Sequence, residues 1–102
     1  SDFEIKAIEA GELLRLSRQH IEHLTSQYPL FASYYQNIML TIIYKLYSMF
    51  AIRQVSTAEE FIRYLYTHYM WIINRVPDKY IALYMGISNA WYCKLKKRIL
   101  NN

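Results

Sequence analysis

The stretch Tyr80–Leu100, "YIALYMGISNAWYCKLKKRIL", decides how this chain is read. It is apolar up to Met85, breaks at Gly86, and then turns basic. A sharp turn between two helices needs a residue that accepts a left-handed backbone, and glycine does so without steric cost. Ser88 is placed to cap a following helix. Tyr92, Leu95 and Ile99 recur at three- and four-residue steps, which gives that helix one inward stripe. Ile81, Ala82 and Met85 form the matching face of the helix before it. Pro77 suits its first turn, where a missing N–H costs nothing. Ala82 is small enough for the helices to approach, and Ile87 can fill the angle between them. The spacing therefore predicts a helix-turn-helix.

The outward face of the second helix carries Asn89, Ala90, Cys93, Lys94 and Lys97. In a helix-turn-helix the first part of the second helix enters the major groove of DNA. Asn89 is suited to an adenine edge and Lys94 to a guanine edge. Lys96, Lys97 and Arg98, with Lys79 and Ser88 nearby, are placed for phosphates. An αα-corner with a basic surface is the competing reading.

Charge agrees with an anionic partner. The 102 residues carry a net charge of +4. All of the excess lies from Arg75 onward, where Asp78 is the one acidic residue. Such asymmetry points to an anion at that end, although a solvated basic tail has the same composition.

Working back along the chain, "STAEE" (Ser56–Glu60) reads as a capping box with Ser56 as cap and Glu59 reaching back. Phe61, Leu65, Tyr69 and Ile72 or Ile73 then share one face of a helix expected to end near Asn74. Before it, Leu30 to about Gln54 reads as a helix of roughly 25 residues, ~37 Å long. Phe31, Tyr35, Ile38, Ile42 and Met49 follow a 4-3 spacing with Lys45 in one seam position. Met39, Leu46 and Phe50 widen the apolar face. A face this broad predicts pairing with a second copy, burial in a single bundle being the alternative. The stretch resembles a membrane span in length. Gln36, Asn37 and Lys45 interrupt it, so no membrane partner is expected.

Arg18–Tyr28 reads as a short helix capped by Ser17 and closed by Pro29. The alternation in "FEIKAIE" (Phe3–Glu9) and the shorter "ELLRLS" (Glu12–Ser17) predict two strands around Gly11. Two strands alone are marginal, which makes them the expected remnant of a larger sheet.

Composition excludes intrinsic disorder, with 54% hydrophobic residues and eleven tyrosines. Two glycines and two prolines are too few for an all-β fold. The single cysteine forms no internal disulfide and fits a reducing cytoplasm. His20 and His23 lie three apart but lack a third ligand in spacing, so no metal is expected. No phosphate loop, nucleophile elbow or carboxylate pair is visible, which speaks against an enzyme.

"RVPDKYIALYMGIS" closely resembles the helix-turn-helix of Crp/Fnr-type bacterial transcription regulators, especially a shorter form common in Bacteroidetes. "IEAGELLRLSRQHIEHLTSQYPLF" is similar to the end of that family's cyclic-nucleotide-binding barrel and the helix after it. "STAEEFIRYLYTHY" resembles the first helix of its DNA-binding domain. The resemblance implies a mainly α chain: barrel remnant and short helix over 1–29, dimerisation helix over 30–55, and winged-helix-like DNA-binding domain over 56–102. It implies a homodimer on a pseudo-palindromic duplex, with RNA polymerase as a further partner. It implies no cofactor in this chain, and a cyclic nucleotide or other small effector in a barrel before residue 1. Two features depart from the family. Cys93-Lys94 replaces a frequent Ser-Arg pair, and lysine lacks arginine's two-pronged contact with guanine. The chain also stops before a wing hairpin.

Overall fold

The computed structural model describes residues 4–101. It contains six helices: α1 (Arg18–Gln27), α2 (Pro29–Val55), α3 (Ala58–His68), α4 (Met70–Arg75), α5 (Asp78–Met85) and α6 (Asn89–Leu100). The chain is mainly α. Its described residues divide into two compact units, 9–49 and 50–101 with 4–8.

In the first unit, Ser17 caps α1 by accepting the His20 N–H at 3.1 Å. Pro29 ends the helix by forcing the residue before it out of helical backbone, and Tyr28 is extended at φ −129° and ψ 101°. Proline is tolerated at the start of the next helix, so α2 begins at once. No residue of α2 is buried. Leu30, Tyr34, Leu40, Ile43, Tyr44 and Tyr47 are all exposed, on several sides of the helix. By length and composition α2 is long and apolar enough to cross a membrane.

The two expected strands are absent, and no strand occurs among the described residues. Phe3 lies outside them. Ile5, Leu13 and Leu14 are 95%, 99% and 88% exposed, so these apolar side chains stand in water, while Ile8 and Leu16 are partly covered. Two short strands with nothing to pack on do not hold together.

Among the described residues the buried core lies in the second unit: Phe61, Ile62, Leu65, Ile73, Ile81, Ala82, Met85, Tyr92 and Leu95. Helix α6 packs on both α3 and α5, and α4 packs on α3. The capping box lies one residue later than expected. Thr57, not Ser56, caps α3 by accepting the Glu60 N–H at 3.2 Å, and its hydroxyl also meets the Glu60 carboxylate at 3.1 Å. Ser56 stays outside the helix, its carbonyl accepting from Arg53 Nη1 at 3.1 Å.

The helix expected to run to Asn74 is two helices. Tyr69 leaves helical backbone at φ −139° and ψ 48°. In one continuous helix Ile73 would stand about 120° round from Phe61 at 3.6 residues per turn. The break re-aims the chain, and Ile73 becomes core. Tyr69 packs edge-on against Tyr64, with ring centroids 5.8 Å apart.

Candidate nucleic-acid interface

The geometry of α6 is set at both ends. Pro77 stands just before α5 as its cap residue, one position ahead of the expected first turn. Its carbonyl accepts from the Tyr80 and Ile81 N–H groups at 3.0 and 3.4 Å. Asp78 then occupies the first turn, where a carboxylate suits the positive end of the helix dipole. Gly86 closes α5 in left-handed backbone at φ 74° and ψ 28°. The N–H groups of Gly86 and Ile87 return to the carbonyls of Leu83 and Ala82, each at 3.1 Å. Half-buried Ile87 leads to Ser88, whose hydroxyl accepts the Trp91 N–H at 3.1 Å. The next helix thus starts three residues after the glycine.

Tyr92 and Leu95 are buried and Ile99 is half-buried, so this stripe fixes the roll of α6. Ala90, Lys94 and Lys97 point the other way and are exposed. Among the described residues neither lysine has an ion-pair partner.

The two flanks of that face differ. On one, Lys96 Nζ meets Asp78 Oδ1 at 3.0 Å, and both side chains are half-covered. Cys93 Sγ lies 3.8 Å from Asp78 Oδ2 and 3.7 Å from Asn89 Oδ1. Lys96, expected to serve phosphate, is therefore already engaged by a carboxylate. On the other flank, Trp91 is 41% exposed. Lys94 Nζ and the Arg98 guanidinium lie 5.8 and 6.0 Å from its ring centroid, within cation–π range. Arg98 also reaches Glu59 Oε2 at 3.9 Å, and Glu59 pairs with Arg63 at 3.7 Å.

Lys79 is exposed, 5.1 Å from the Tyr80 ring centroid. Lys6 lies 5.9 Å from the same ring. A hydrogen bond from Lys6 is the main cause that lowers the Tyr80 phenol below its ordinary value, with both lysine charges adding to it. Inside α6, burial pushes the Tyr92 phenol upward, and the Asp78 carboxylate adds to the shift. The Tyr92 hydroxyl is buried and has no hydrogen-bond partner among the described residues.

Ser88, Asn89, Ala90, Cys93, Lys94, Lys96, Lys97 and Arg98 thus share one helix and its cap, while Lys79 stands apart on α5. Spacing along the sequence missed three groups. Asp78 is one, although its isolation among basic residues was a usable signal. Trp91, held by two cations, is the second. Arg53 is the third, the one charged residue between Lys45 and Glu59. Its Nη2 donates to the Met85 carbonyl at 2.9 Å, and its guanidinium lies 5.8 Å from the Phe61 ring centroid.

The residues expected along a dimer seam, Phe31, Tyr35, Ile38, Met39, Ile42, Leu46, Met49 and Phe50, all belong to α2 and are exposed or half-buried. Phe31 and Tyr35 stack at 6.0 Å. His20 and His23 are both exposed, and no group of metal-ligating residues occurs among the described residues.

Comparison of the chain with family models, with curated proteins and with solved structures gives no match.

Proposed function

We propose that the chain is the dimerisation and DNA-binding region of a cytoplasmic transcription regulator of Crp/Fnr type. Helices α5 and α6 act as its helix-turn-helix, and two copies pair along α2. The observation that carries the reading is the outward face of α6. It is exposed, it holds Lys94 and Lys97 without ion-pair partners among the described residues, and a left-handed glycine and a serine cap fix its direction.

The mechanism follows from that face. Ala90 in the first turn is small and lets the helix sink into the major groove. Asn89 and Lys94 then reach base edges. Lys97 and Arg98 meet phosphates and release counterions, which supplies most of the affinity and makes it salt-dependent. In a symmetric dimer the two copies of α6 read half-sites about one DNA turn, ~34 Å, apart. The unburied apolar surface of α2 supports pairing, because a helix apolar on all sides normally finds cover.

One observation favours a second reading, an interaction module whose helix-turn-helix no longer reads DNA. The Asp78 carboxylate sits beside the outward face and neutralises Lys96. Fluorescence anisotropy with a labelled duplex over a salt series separates the two readings. The regulator binds with a steep salt dependence that flattens in Lys94→Ala/Lys97→Ala. The interaction module shows no duplex affinity at ~50 mM salt, where phosphate contacts are strong.

A further inference from the structure

Trp91 is a costly residue to leave in water. Its indole stands at the third position of α6, on the helix surface rather than in the core. The Ser88 cap fixes its backbone, since the Trp91 N–H is the one that the cap accepts. Lys94 and Arg98 lie 5.8 and 6.0 Å from the ring centroid, and Arg98 also reaches Glu59 at 3.9 Å. The result is an apolar plate with two cations beside it, in the first turn of α6.

We infer that Trp91 is a specificity-determining residue that reads the C5-methyl group of a thymine. The inference rests on the DNA-binding reading of α6. The major groove presents one apolar group on its base edges, the thymine methyl, and flat or methylated side chains are what contact it. A duplex brings phosphates to either side of the groove. Two cations beside an indole suit that layout, with Lys94 and Arg98 toward phosphate or guanine and the ring toward a base edge. Tyr92, next in sequence, is wholly buried and takes no part in this contact.

The test uses the wild-type chain on a duplex enriched from a random pool. Each thymine is replaced singly by uracil, which lacks only the methyl group. Affinity should fall about three- to five-fold at one position of each half-site, the value of one buried methyl. Trp91→Ala should bind the thymine and uracil duplexes alike, while Trp91→Phe keeps part of the preference. Wild-type binding unchanged by every uracil would overturn the inference and leave DNA reading standing. So would a methyl preference that survives in Trp91→Ala, or a loss in Trp91→Ala that is equal for all sequences. If no duplex is enriched from the pool, the DNA reading fails and the inference falls with it.

Discussion

Arg53 donates from Nη2 to the carbonyl of Met85 at 2.9 Å, across thirty-two residues of chain. Its other terminal nitrogen serves the carbonyl of Ser56. One guanidinium therefore joins the last turn of α2 to the carbonyl just before Gly86. The planar fork matters, because an ammonium cannot hold two carbonyls in fixed directions. Arg53→Ala should destabilise the unit by about 1–2 kcal/mol, the cost of unpaired carbonyls moderated by partial exposure. Arg53→Lys should fall between it and wild type. Urea denaturation followed by circular dichroism measures both.

Gly86 has a separate and smaller role. A Cβ built on it meets nothing within 4 Å, so its cost is conformational alone. Gly86→Ala should lose about 1 kcal/mol through the left-handed backbone. Gly86→Asn should lose less, since asparagine tolerates that region. Thermal unfolding of the variants gives the order.

Tyr92 carries a buried hydroxyl without a partner among the described residues. Tyr92→Phe removes that orphan and should stabilise the fold by about 1 kcal/mol. It should also change the alkaline limb. Burial raises the phenol above its ordinary 10.0 in the folded state. Above pH ~10 the unfolded chain loses this proton while the folded chain keeps it, so wild-type stability falls as pH rises further. Tyr92→Phe should fall less steeply over the same range. Denaturant midpoints at pH 8 and about pH 10.5 provide the comparison.

Much of this was legible in the sequence, and what was not has physical causes. Ser17, Pro29, Gly86 and Ser88 act locally, and each sets the helix boundary that its chemistry implies. Ser56-Thr57 and Glu59-Glu60 offer two capping boxes at identical spacing. In the fold Thr57 caps α3, and the Ser56 carbonyl accepts from Arg53 instead. The break at Tyr69 has no glycine or proline to mark it, because it arises from packing Ile73 into the core. The strand pattern before Arg18 is alternation that leaves Ile5, Leu13 and Leu14 in water. The Asp78 partner of Lys96 lies eighteen residues earlier, a pairing that spacing along one helix does not reveal.

That pair gives a test of affinity. Asp78→Asn should free Lys96 and remove a carboxylate from beside the outward face of α6. Duplex affinity should rise, and the slope of log K against log salt should steepen by about one. An interaction module would show no change in either.

The α2 seam gives a test of assembly. Ile42 is exposed within one chain, so Ile42→Glu should leave the helices intact. In a paired seam the same carboxylate is buried opposite its own copy. Dimerisation should weaken at least about tenfold. Sedimentation equilibrium of wild type and variant reads the difference directly.

The most direct measurement is selection of bound duplexes from a randomised pool at low salt, followed by sequencing. A dimer reading DNA through α6 should enrich a pseudo-palindrome with half-site centres about 10 base pairs apart. Lys94→Ala should then blur one position in each half. A pool that emerges unselected, with no duplex retained even at ~50 mM salt, would contradict the DNA-binding role and leave α2 as the seat of function.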